Sequence, residues 1–161
     1  MAAQADGPNR VLAAMHEAGL DVTRIDHGPV RSLAQAAQAR GVEPADVVKT
    51  LVVRRSDDDF VFVLVPGDRS MSWPKLRREL RVSRMSLPDA DEAKAATGFA
   101  RGTITPFGST RSWPVLADHR LKGRRVTLGG GAHGVAMAVD ADAALRALGA
   151  IVADLTEAEP A

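Results

Sequence analysis

Residues Phe60-Val61-Phe62-Val63-Leu64-Val65 are apolar at every position. A strand with one wet face alternates, so an unbroken run of this length implies a strand covered on both sides. The run Lys49-Thr50-Leu51-Val52-Val53 precedes it, and the link Ser56-Asp57-Asp58-Asp59 joins the two segments, 49–55 and 60–65, as an antiparallel hairpin. Such a hairpin needs material on either side, and 161 residues are enough to supply it within one domain. Period two places Lys49 with Leu51 and Val53, and Thr50 with Val52 and Arg54. An ammonium aligned with core residues must emerge at a pocket or at the end of the sheet.

Short elements surround the hairpin. Residues 1–8 read as a small, polar tail, and Asn9 as the cap of a helix stopped by Gly19. Val22 to His27 reads as a strand. Ser32 and Gln35 form a capping box for an alanine-rich helix ending at Gly41, and Glu43 to Asp46 suits one helical turn. Ser72 caps a helix from Trp73 to Leu80 with Pro74 in its first turn, and Arg81 to Met85 reads as a short strand. Pro88 opens a helix with an acidic first turn that ends at Gly98. Strands follow at Trp113–Asp118, Arg125–Leu128 and Val135–Val139, then a helix capped by Asp140 and an edge strand at Ile151-Val152. Residues 156–161 read as a second tail, leaving one domain over 9–155. Helices interleaved with many short strands, without regular βαβ repeats, predict an α/β chain of the α+β kind. The expected architecture is a mixed, mostly antiparallel, barrel-like sheet with short helices outside.

Composition excludes several classes of function. There is no apolar stretch long enough to cross a membrane and no basic-then-apolar leader, so a cytoplasmic protein is expected. With no cysteine, disulfides, thiolate metal sites and thiol nucleophiles are ruled out. A net charge of +1 argues against a broad basic face for a long duplex, so any nucleic-acid contact should be local. Two clusters could supply it: Lys75, Arg77, Arg78, Arg81 and Arg84, or Arg120, Lys122, Arg124 and Arg125. Each reads equally as a solvated surface.

Three segments could carry chemistry. Lys49 in a low-dielectric pocket would stabilise developing negative charge; the alternative is a strand-end lysine reaching solvent. Gly102-Thr103-Ile104-Thr105-Pro106-Phe107-Gly108 is a rigid turn able to aim main-chain groups at a carbonyl or a water, or a structural corner. Gly129-Gly130-Gly131-Ala132-His133-Gly134 presents an imidazole that could orient a water or a hydroxyl, or be a plain loop residue. The triple glycine lacks the Gly-Lys-Ser/Thr ending of a phosphate loop, which rejects nucleotide hydrolysis. His27 has no second ligand at zinc spacing, and no serine sits in a Gly-x-Ser-x-Gly elbow. The residues point away from covalent catalysis.

Taken in order, these segments resemble the YbaK family, free-standing relatives of the editing domain of bacterial prolyl-tRNA synthetases. The likeness rests on His27-Gly28-Pro29-Val30-Arg31-Ser32, Val48-Lys49-Thr50-Leu51-Val52, Leu64-Val65-Pro66-Gly67-Asp68, Ala96-Thr97-Gly98-Phe99, the 102–108 turn and Gly129–His133. It runs from about residue 10 to residue 150. The resemblance implies hydrolysis of the ester joining a wrong, small amino acid (cysteine, alanine, serine or proline) to tRNA, usually tRNA(Pro). It implies no metal or other cofactor and no protein nucleophile. The aminoacylated acceptor end of tRNA would be the partner, with an aminoacyl-tRNA synthetase as a second. By the same resemblance Lys49 would hold the acceptor end, Gly102 and Pro106 would frame the ester, and His133 would sit beside the aminoacyl group. His27, Arg31, Ser32, Thr50, Asp68, Thr103, Ile104, Thr105, Phe107 and Gly131 would contact the substrate. The expected geometry has Lys49 facing the main chain of 102–106 across one hollow. Many relatives carry an aromatic residue where this chain has Arg31, so an inward Arg31 would make the pocket more polar. A non-catalytic tRNA- or synthetase-binding module and a small-molecule esterase are the competing readings.

Overall fold

Each helix is started by a side chain that the local sequence supplies. The computed structural model describes residues 6–159. Helix α1 (Gly7–Glu17) begins earlier than Asn9, because Asp6 is the cap and accepts the Asn9 N–H. Strand β1 (Thr23–Asp26) follows, then α2 (Leu33–Arg40), capped by Ser32 and ended by Gly41 in the left-handed region. A 3-10 turn at Pro44–Asp46 leads into the hairpin of β2 (Val48–Ser56) and β3 (Asp59–Pro66). After β4 (Arg69–Met71) come α3 (Trp73–Leu80), capped by Ser72, and α4 (Ala90–Thr97), capped by Asp89. The chain ends through β5 (Val115–Asp118), β6 (Arg125–Gly129), β7 (Val135–Asp140), α5 (Ala141–Leu148, capped by Asp140), β8 (Ile151–Ala153) and β9 (Thr156–Ala158).

Two expectations are corrected here. Arg81 to Met85 forms no strand: Arg81 takes a left-handed conformation (φ 57°) as the C-cap of α3, and only Ser86 bridges back, to Arg54. Residues 156–158 are not a tail, since β9 pairs antiparallel with β4, joining Met71 to Thr156 and Arg69 to Ala158. The expected tail at 1–5 and at 160–161 lies outside the described residues.

Among the described residues the strands form three sheets, in the orders β1-β7-β6, β2-β3-β5-β8 and β4-β9. Pairing is antiparallel except for β3 with β5 and β5 with β8. A parallel bridge from Val47 to Thr127 carries the first sheet into the second. The fold is the mixed, mostly antiparallel one expected, with short helices. Strand β3 explains its own sequence: Phe60, Phe62 and Leu64 enter one apolar cluster with Met15, Phe99, Phe107 and Met137. Val61, Val63 and Val65 enter a second cluster with Leu76, Leu116 and Leu155. Both faces of the strand are inside the protein, as its unbroken apolar run required. Among the described residues no helix is long and apolar enough to cross a membrane.

Candidate active site

The 102–108 turn and the glycine-rich loop are pinned to each other. Gly131 N–H donates to the Thr103 carbonyl (3.1 Å), and Gly130 N–H to the Val135 carbonyl (3.0 Å), which closes the loop onto β7. His27 N–H donates to the Gly134 carbonyl (2.8 Å), prolonging β1 to the same place. The start of α1 is pressed against this loop as well: a Cβ at Gly7 would collide with the Gly131 carbonyl. Residue 7, expected to lie in a tail, therefore belongs to the wall of the site.

Gly102 has φ +86° and lies under the imidazole of His133, where an added Cβ would stand 3.3 Å from Cε1 and 3.8 Å from Nδ1. The left-handed φ favours glycine at this position, and a side chain there would press on the tip of the imidazole. Thr103 secures the turn, its N–H and Oγ1 both donating to the Ala100 carbonyl (3.0 and 2.7 Å). The N–H groups of Ile104 and Thr105 find no main-chain acceptor among the described residues. Thr105 Oγ1, Thr50 Oγ1 and both ring nitrogens of His27 are buried without a hydrogen-bond partner there. Buried polar atoms left in this state are costly unless something else satisfies them. Phe107 is buried in the first apolar cluster, so it anchors the turn.

Arg10, which no sequence pattern singled out, clamps the far side of the turn. Its guanidinium donates to the carbonyls of Gly108 (3.3 Å) and Gly98 (3.1 Å) and stacks over Phe99 at 4.5 Å. Helical spacing could place Arg10 on α1, but nothing local revealed partners some 90 residues away.

Lys49 is where the expectation fails. Its side chain shares a face of β2 with Leu51 and Val53, which pack in the second apolar cluster. Thr50 points to the opposite face, with Val48 and Val52, whose cluster holds Phe107 and packs Ile104. The ammonium donates to the Arg69 carbonyl (2.5 Å) and pairs with Glu159 (3.2 Å), half exposed beside β4 and β9. It therefore does not face the 102–106 main chain. Thr50 is the residue of that strand turned to the turn's side.

Two other expected contacts are occupied by local structure. Ser32 Oγ accepts the Gln35 N–H (3.1 Å), and Gln35 Oε1 accepts the N–H of Arg31 (2.8 Å), one residue before the cap, a variant of the capping box. The Arg31 side chain is exposed, and so is Asp68, whose charge contributes to raising the Arg124 pKa. The structure thus brings together Gly102, Thr103, Ile104, Gly131, His133 and the His27 main chain, and it leaves Lys49 and Arg31 outside that group.

Sequence and fold comparisons bear on the family. The family model described as aminoacyl-tRNA editing domain matches residues 27–147. The proline–tRNA ligase of Acidithiobacillus ferrooxidans is 33% identical over 107 residues, 66% of this chain and 19% of that protein. That of Caldicellulosiruptor bescii is 33% identical over 93 residues, 58% of this chain and 16% of that one. The chain thus spans less than a fifth of the length of these ligases. A solved structure of a proposed trans-editing enzyme for prolyl-tRNA synthetase has a TM-score of 0.84 at 28% identity, covering 96% of this chain and 99% of that one. A hypothetical protein of known structure also gives 0.84, at 27% identity over 92% of this chain and 99% of its own. Since the matched segment includes the hairpin, the 102–108 turn and the histidine-bearing loop, the chain belongs to the aminoacyl-tRNA editing domain family.

Proposed function

We propose that this chain is a trans-editing aminoacyl-tRNA deacylase, hydrolysing the ester of a small mischarged amino acid on tRNA, with tRNA(Pro) as carrier. The observation that carries the reading is the juncture of Gly102 with His133 inside the matched family segment. Its likeness to the proposed trans-editing enzyme over nearly the whole of both chains supports action on tRNA from outside the synthetase. Such a protein would work in the cytoplasm.

An aminoacyl ester is already activated, so holding it beside a water and polarising its carbonyl can supply much of the acceleration. In this reading the Ile104 and Thr105 N–H groups face the carbonyl oxygen as it gains charge. Gly102 and Pro106 hold the turn's shape, and His133 orients the water or the ribose hydroxyl. Thr50, Thr103, Thr105, Gly131 and His27 line the space for the aminoacyl group. Water is the nucleophile in this reading; the hydroxyls of Ser32 and Ser72 accept as helix caps, and Ser109 Oγ donates to the Arg111 carbonyl (2.7 Å). Lys49 acts at the rim, exchanging Glu159 for a phosphate of the acceptor end; an exposed ion pair is worth about 1 kcal/mol or less, so the exchange is easy.

The test is a panel of tRNAs charged with cysteine, alanine, serine or proline, incubated with the protein and followed for release of the amino acid. Release that is lost in His133→Ala and reduced in Gly102→Ala supports the reading. Flat traces throughout would favour a binding module. Equal cleavage of free aminoacyl esters would favour a small-molecule esterase.

A further inference from the structure

One face of the β1-β7-β6 sheet carries small side chains. Ala138 on β7 is paired with Thr23 of β1 on one side and Thr127 of β6 on the other. Thr23 and Ala138 of this row line an open groove of about 900 Å³ beside the end of α2, with Arg40, Arg124, Arg125 and the carboxylates of Glu43 and Asp46, while Thr127 is buried beneath it. The guanidiniums divide into two kinds. Arg124 is satisfied, pairing with Asp46 at 2.6 Å, and the charges of Asp68 and Glu43 also act on it. Arg40 and Arg125 touch only hydroxyls, Arg40 donating to Thr127 Oγ1 (3.1 Å) and Arg125 to Thr23 Oγ1 (3.3 Å). Neither has a carboxylate within salt-bridge distance among the described residues.

Arg40 is the more exacting of the two. Its Nε is buried and has no hydrogen-bond partner there, and burial lowers its pKa. A guanidinium held this way costs free energy that an anion in the groove would recover. Thr23 and Thr127 stand two strand spacings apart, roughly 10 Å, so the arginines bonded to them flank the alanine between. A planar, fork-shaped donor on each side suits the oxygens of a phosphodiester chain. Along β1, Thr23 is four residues from His27, roughly 13 Å from the glycine-rich loop.

We propose that this groove is a second RNA contact, in which Arg40 and Arg125 hold backbone phosphate of the same tRNA whose charged end enters the site. The inference rests on the deacylase reading for the identity of the RNA. It makes binding depend on residues outside the 102–108 and 129–134 loops.

The experiment measures affinity for uncharged tRNA across a range of salt concentrations, for the wild type, Arg40→Gln, Arg40→Lys and Arg125→Gln, with melting curves to verify folding. Each glutamine variant is expected to lose roughly tenfold in affinity, the size of one charge-assisted hydrogen bond. Each should also lower the slope of log K against log salt by about 1. Arg40→Lys should keep the slope. On charged tRNA, KM should rise and kcat should stay. Arg125 is exposed, so its variant remains informative if Arg40→Gln fails to fold. Inorganic phosphate, followed by NMR at the arginine Nε–H signals, is the second arm. Phosphate binding with unchanged tRNA affinity in both variants would overturn the proposal in favour of a free anion, and no response in either arm would overturn it outright. A wild type that hydrolyses nothing, yet binds tRNA through Arg40, would sink the deacylase reading and leave the groove assignment standing.

Discussion

His133 lies against Gly102, its Cε1 3.3 Å from where a side chain at 102 would begin. The two residues come from different loops, held together by the Gly131 to Thr103 hydrogen bond of 3.1 Å. Gly102→Ala therefore carries two penalties: about 1–2 kcal/mol for a left-handed conformation, and displacement of the imidazole. The imidazole must give way by a few tenths of an ångström, so deacylation should fall, by less than the roughly 100-fold that a full ångström costs, with a modest drop in melting temperature. Comparable activity in the variant would remove His133 from the mechanism.

Lys49 and Glu159 make a prediction of the opposite sign. Their ion pair is exposed and worth about 0.2–1 kcal/mol. Glu159→Gln should release the ammonium and lower KM for charged tRNA by up to about fivefold, leaving kcat alone. Lys49→Ala should raise KM. If neither variant moves KM, Lys49 takes no part in holding the acceptor end.

Arg10 is a structural clamp with a functional consequence. Arg10→Ala removes two hydrogen bonds to the Gly98 and Gly108 carbonyls and a cation–π contact with Phe99. A loss of about 3 kcal/mol is expected from urea unfolding. Lysine has a single charged centre and should rescue only part of it.

Acid should loosen the β4-β9 end of the molecule first. Asp118 is fully buried and accepts from the Leu155 N–H, the Arg120 N–H, Thr156 Oγ1 and the Arg120 guanidinium. Burial alone would raise its pKa, but these donors together hold it below the ordinary value. Lys75 and Arg120 lower Asp154 to about 2. Groups depressed on folding contribute stability that is fully present above the unfolded value near 4 and is lost as pH falls towards 2. Hydrogen exchange at Leu155 and Thr156 should accelerate over that window, and Asp118→Ala, at a cost of about 3 kcal/mol, should flatten the pH dependence.

What was legible in the sequence was local. The caps Ser32, Ser72 and Asp140 were readable because cap and helix are adjacent, and the hairpin because its link is short. The face assignment of Lys49 and Thr50 also followed from strand period alone. What lay beyond each face did not, because β4 and β9 are three-residue strands whose pairing spans some 87 positions. That pair places Arg69 and Glu159 at the lysine, so its ammonium is engaged there and not at the 102–106 turn. Arg10 was invisible for the same reason. The strand expected at 81–85 failed because Arg81 ends α3 in a left-handed turn and directs the chain away from sheet pairing.

Strand β3 lies in both apolar clusters at once, Phe62 in one and Val63 in the other. Local opening at the β4-β9 edge apart, neither half of the protein can melt while the other keeps its seal, because unzipping the hairpin would wet both at a stroke. Unfolding should be all-or-none, the calorimetric enthalpy matching the van't Hoff value, and a destabilised variant would lose catalyst molecules without degrading those that remain folded.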